Sequence, residues 1–136
     1  MSKTIATAAV TNSGEHYTST IQIRQHVLCV DEPLDKGGKD AGPAPGDYLC
    51  AGLASCKAIT LRMYAERKEW EVGEIKVTVN LVPAKEMASG KNTFFSQLTF
   101  SGNLDDEQQK RLLFVANSCP LHKLLSRESD VVTAII

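Results

Sequence analysis

GDYLCAGLASCKAITLRMYAERKE, residues 46–69, decides how the rest of this 136-residue chain is arranged. Tyr48, Leu49, Ala51, Gly52, Leu53, Cys56, Ile59, Thr60 and Met63 form a broad apolar stripe at helical spacing. No charge interrupts the run from Tyr48 to Cys56, whereas Arg62, Glu66, Arg67, Lys68 and Glu69 gather toward the C-terminal end. A helix that is apolar most of the way round is buried on more than one side. In a domain of this size, either a sheet wraps it or a second subunit covers it.

The segments on either side complete the pattern. Residues 3–10 and 16–30 read as strands: Thr18, Thr20, Gln22 and Arg24 alternate with Ser19, Ile21, Ile23 and Gln25, and Asn12-Ser13-Gly14 marks a turn between them. Residues 31–46, DEPLDKGGKDAGPAPG, are rich in proline and glycine and form a long loop. Its acids, Asp31, Glu32, Asp35 and Asp40, miss the spacing of a calcium loop and are expected to be solvated. After the helix, residues 74–82 alternate cleanly, and residues 94–102 carry Phe94, Leu98 and Phe100, which predicts an antiparallel pair. Acids at Asp105, Asp106 and Glu107 open a helix over 105–116, where the dipole favours them. A short helix over 119–126 and a strand over 130–136 close the chain. This order predicts one α+β domain over residues 1–136.

Composition excludes several roles. The formal net charge is −1 and no lysine or arginine cluster stands out, which argues against nucleic acid as a partner. No apolar run approaches the roughly 18–20 residues of a membrane span. The N-terminus lacks the apolar core of a secretory signal, so a cytoplasmic location is expected. Its four cysteines, Cys29, Cys50, Cys56 and Cys119, are then reduced at rest, and any disulfide among them is transient and catalytic. No G-x-G-x-x-G or P-loop supports nucleotide binding.

Two of the thiols stand apart. Cys119 lies in Asn117-Ser118-Cys119-Pro120-Leu121-His122, where one helical pattern stops and another begins. Asn117 or Ser118 suits the cap of the new helix and Pro120 its first turn. A thiol at a helix start is drawn toward the thiolate form, and a protonated His122 would help. Cys56 sits inside the long helix beside Lys57, with Arg62 about a turn and a half further on. Cys29 and Cys50 read as packing residues. Cys119-x-x-His122 matches half of a zinc site, but no second half follows, so no metal is predicted. Together, Cys56 and Cys119 suggest a redox dithiol pair.

Several stretches together resemble the OsmC/Ohr family, the osmotically inducible and organic hydroperoxide resistance proteins. They are Asp31-Glu32-Pro33, Gly37-Gly38, Gly42-Pro43-Ala44-Pro45-Gly46-Asp47-Tyr48-Leu49, the Cys56 motif running through Thr60-Leu61-Arg62-Met63-Tyr64-Ala65, and Ser118-Cys119-Pro120. The likeness is to the OsmC-like branch and covers nearly the whole chain. It implies an intertwined homodimer in which antiparallel sheets surround long buried central helices, with the active sites at the subunit interface. By this resemblance Cys56 matches the peroxidatic cysteine and Cys119 the resolving cysteine of a peroxiredoxin-type oxidoreductase acting in the oxidative stress response. The substrate would be a small organic hydroperoxide and the reductant an external dithiol such as a lipoyl group, with no cofactor. The family's activating arginine and glutamate do not transfer. Pro45 is followed by Gly46, with Asp47 next, and Arg24 is the only arginine before the helix. Asp47, Arg24, Arg62 and His122 are therefore the candidates for activation or substrate positioning. The competing expectation is a weakly active or non-catalytic protein that binds a small apolar ligand at the dimer interface.

Overall fold

The structure, a computed structural model, describes residues 3–136. Its elements run β1 (Ala9–Thr11), β2 (Ser19–Ile23), β3 (His26–Val30), α1 (Pro45–Lys68), β4 (Ile75–Val82), β5 (Thr93–Phe100), α2 (Asp106–Ala116) and α3 (Pro120–Leu125). Two antiparallel sheets, β1-β2-β3 and β4-β5, and three helices make the α+β class. The chain divides into two compact units, one ending at Leu49 and one spanning Cys50–Ile136, so the boundary falls inside α1.

In the N-terminal unit, the segment expected as one strand over 16–30 is a hairpin. Ile23 pairs with His26, and Arg24 takes a positive φ of 53° in the two-residue turn. No glycine marked this turn, which hid it from the sequence. Residues 3–8 carry no regular structure, and only Ala9–Thr11 pair with β2. The loop after β3 is ordered by Asp31, whose side chain is 1% exposed rather than solvated. Its carboxylate accepts from Thr18 Oγ1 at 2.8 Å, from Glu32 N–H at 2.7 Å, and from the N–H groups of Lys39 and Ala41 at 3.2 Å each. Gly38 lies so close that a Cβ there would overlap the Glu32 carbonyl, so only glycine fits.

In the C-terminal unit, α1 presents Leu53, Lys57, Leu61 and Ala65 inward, four residues apart and so on one face. Leu61, Tyr64 and Ala65 pack with Val72 and with Leu112, Val115 and Ala116 of α2 to form the core. Each fully buried leucine there contributes roughly 2 kcal/mol relative to exposure. Half-buried Ile75 and Val77 of β4 face Phe100 and Leu98 of β5 across the ladder and cover the core from the sheet side. The helix is not buried all round within one chain: Leu49, Ile59 and Met63 are exposed. Residues 130–136, expected as a strand, carry no regular structure, with Val131, Val132, Ile135 and Ile136 exposed. A strand needs a neighbour for its N–H and C=O groups, and a single copy supplies none here.

Candidate active site

The α2–α3 junction builds one wall. The capping box of Asp105 and Gln108 starts α2, and Asn117 closes it. Ser118 Oγ then donates back to the Phe114 carbonyl at 3.0 Å. Cys119 precedes a proline, which disfavours helical backbone, and it is extended at φ −68° and ψ 150°. Pro120 occupies the first position of α3, as expected, but the cap is neither Asn117 nor Ser118. It is Cys119, whose Sγ accepts the His122 N–H at 3.3 Å. Leu121 packs toward α1, where a Cβ on Gly52 would stand 3.7 Å from Leu121 Cδ1.

Helix α1 supplies the other wall. Cys56 is half-buried and Cys119 is 0% exposed; both are free thiols. Cys56 lies close enough to Cys119 to act on the ionisation of that thiol. Lys57, only 2% exposed, turns its ammonium into the same place. Its Nζ donates to the Ala116 carbonyl at 2.8 Å and lies 2.9 Å from His122 Nδ1. Ala116 ends α2, so the ammonium meets the negative end of that helix dipole. Lys57 and His122 also line a cavity of about 280 Å3 with Leu53, Phe94, Ser96 and Asn117.

The electrostatics correct two expectations. Burial pushes the Cys119 thiol up, and Cys56 adds to this. The His122 N–H and the Lys57 charge pull it down without reversing the direction. The helix-start effect on Cys119 is thus real but outweighed by burial. His122 is pulled down, first by burial and then by the Lys57 charge, so it is a neutral acceptor for the ammonium rather than the local cation. Lys57 itself is lowered by burial, while Cys119 and Cys56 push it back up.

A family model described as OsmC-like protein matches residues 37–134. The chain belongs to the OsmC-like protein family. Solved structures agree on the fold. An osmotic-stress and detoxification response protein from Psychrobacter arcticus is 27% identical over 90% of this chain and 89% of its own, with a TM-score of 0.72. An organic hydroperoxide resistance protein from Legionella pneumophila is 17% identical, covering 92% and 91%, at a TM-score of 0.65. One from Bacillus subtilis is 22% identical, covering 88% of each chain, at 0.59. No curated protein matches the chain.

Within this OsmC-like fold the candidate residues separate. Cys56, Cys119 and His122 come together. Arg62 is spent elsewhere, its Nη2 donating to the Gly73 carbonyl at 2.6 Å. Arg24 and Asp47 belong to the N-terminal unit. Arg24 forms the β2–β3 turn, and Asp47 Oδ2 accepts the Ala44 N–H at 2.9 Å, half of a capping box at the start of α1. Lys57 was the residue absent from the candidates. Its signal was present: it continues the four-residue series Leu53, Lys57, Leu61 on the face that α1 buries. No group of three histidine, cysteine or acidic side chains gathers as a metal site among the described residues. Among them, no helix is long and apolar enough to cross a membrane.

Proposed function

We propose that this protein reduces organic hydroperoxides through its thiols, with Cys56 attacking and Cys119 resolving. The observation that carries this reading is the meeting of two free thiols of unequal exposure at the junction of α1 and α3. Cys56 is the half-buried one and so the one a substrate reaches; Cys119 is sealed, and burial keeps its proton on. The Cys56 thiolate attacks the outer oxygen of R–O–O–H and the O–O bond breaks. The alkoxide takes a proton and leaves as alcohol, and Cys56 is left as a sulfenic acid. Cys119 then attacks that sulfur, water departs, and a disulfide forms. An external dithiol restores both thiols by exchange. Sulfur itself supplies the two electrons, so the reaction calls for no cofactor.

The same proposal includes a homodimer. Ile59 and Met63 on α1, Leu113 and Phe114 on α2, and the unpaired apolar residues after position 130 are exposed in one copy. A second subunit gives them cover. A reducing, cytoplasmic setting keeps the thiols free.

The test is peptide mass spectrometry after one equivalent of cumene hydroperoxide. Wild type is expected to form a Cys56–Cys119 disulfide. Cys119→Ser should hold one added oxygen on Cys56, and Cys56→Ser should leave Cys119 unoxidised. Thiols that stay unmodified in wild type would sink the peroxidase reading, and an apolar ligand found bound would favour the binding protein.

A further inference from the structure

We propose that the cavity between α1, β5 and α3 is a binding site for a small organic monocarboxylate. The carboxylate end meets Lys57, His122 and Asn92, and the short apolar body meets Leu53, Phe94 and Leu125. The site goes beyond the hydroperoxide reading and does not rest on it, because neither Cys56 nor Cys119 is among the lining residues. The free polar groups on these three side chains are donors. An ammonium has three N–H groups and no acceptor. Two of those on Lys57 go to the Ala116 carbonyl at 2.8 Å and to His122 Nδ1 at 2.9 Å, which leaves one. Because the ammonium only donates, Nδ1 accepts. The ring is kept neutral by burial and by the Lys57 charge, so its hydrogen sits on Nε2. That N–H has no partner among the described residues. Asn92 turns the same way: its Oδ1 accepts the Ala84 N–H at 2.8 Å, so its amide N–H2 is the part left free.

Charge points to the same class of ligand. Lys57 is 2% exposed, and both of its acceptors are uncharged. A buried cation without an anion is costly. No aspartate or glutamate is among the lining residues to supply one. One positive charge calls for one negative charge, and three N–H donors suit the two oxygens of a carboxylate. Leu53 and the half-buried Phe94 and Leu125 give the rest of the ligand an apolar wall. At about 280 Å3 the cavity is at the small end of ligand sites, which keeps that body short.

The test is an NMR titration of the isotope-labelled, full-length protein with hexanoate and, separately, with hexanamide, which has the same shape and no charge. Hexanoate should shift the backbone amide signals of Asn92, Ser96, Asn117 and His122. It is expected to bind roughly tenfold more tightly than hexanamide, since hydrogen bonds to a charged acceptor are the stronger kind. Equal binding of the two, or shifts confined to other parts of the chain, would overturn the proposal. Tighter binding of hexyl phosphate than of hexanoate would overturn it too. Lys57→Gln should erase the preference for the acid, and a preference that survives would count against the site as described. Should that variant fail to fold, the imidazole spectrum of wild type decides. The His122 ring hydrogen is expected on Nε2, and a hydrogen on Nδ1 would remove the donor and the proposal with it. These titrations contain no hydroperoxide, so a protein that binds hexanoate but leaves hydroperoxide intact would lose the peroxidase reading alone.

Discussion

Among the described residues two charged side chains are buried, Asp31 and Lys57, one in each unit, and their surroundings differ. Asp31 is ringed by four donors that all serve its charge: a hydroxyl and three backbone N–H groups. Burial tends to raise its pKa, but Thr18, Glu32, Ala41 and Lys39 together hold it below the ordinary value of 3.8. Lys57 has two neutral acceptors and two sulfurs, and burial wins, lowering its pKa. A fully satisfied charge organises a loop. A charge satisfied only in part, beside groups that can ionise, is set up for chemistry. The contrast separates a charge that its donors hold in place from one that burial disfavours.

The sharpest way to break that contrast is to disturb the Asp31 loop. Gly38→Ala pushes a methyl into the Glu32 carbonyl and against Asp31 Oδ1. It should cost about 3 kcal/mol of stability, read as a lower midpoint in urea. Asp31→Asn should also lower the melting temperature, because its amide N–H2 must face at least one N–H donor. Preserved stability in both would mean that Asp31 is not architectural. Lys57→Met is the opposite case. It removes a partly satisfied buried charge and fills the space with hydrocarbon, so stability should stay within about 2 kcal/mol of wild type. A collapse of the fold in Lys57→Met would make Lys57 as structural as Asp31.

Acid denaturation sharpens the comparison further. A carboxyl with a folded pKa below its unfolded value contributes stability above pH 3.8 that is lost as pH falls through the lowered value. His122, with a folded pKa below 6.5, binds its proton more readily in the unfolded chain, so stability also declines as pH drops from 6.5 toward that lowered value. Urea midpoints across this range should show two separate declines. Asp31→Asn should flatten the lower one and His122→Gln the upper one. The smallest effect lies at alkaline pH. Cys119, with a folded pKa above 9.0, keeps its proton better when folded, so stability falls as pH rises from 9.0 through the raised value. Cys119→Ala should flatten that limb; an unchanged limb would contradict the burial of the thiol.

Periodicity made α1 legible to within a residue at each end, since a long apolar stripe and a charged C-terminal end leave few alternatives. The β4–β5 pair and α2 were legible for the same reason. The turn at Arg24 was not, because a left-handed arginine leaves no compositional mark. Asp31 was misjudged as solvated because an acid in a glycine- and proline-rich loop has that default. Its donors come from Thr18 and from backbone positions that only the folded loop brings round. Cys56 and Cys119 were singled out by local setting and by family resemblance. Lys57 was passed over because a lysine beside a cysteine is ordinary until the burial of its face is known.

The sequence by itself determined the class of fold, the extent of the central helix and the two cysteines to watch, because these depend on local periodicity and on motif. Only the tertiary structure decided that Cys56 lies near Cys119 and that Lys57 is buried against the Ala116 carbonyl and His122. It also decided that His122 is a neutral acceptor and that Cys119 is governed by burial more than by its helix. Ionisation depends on desolvation and on neighbours remote in sequence, and both exist only once α1, the end of α2 and α3 have packed together.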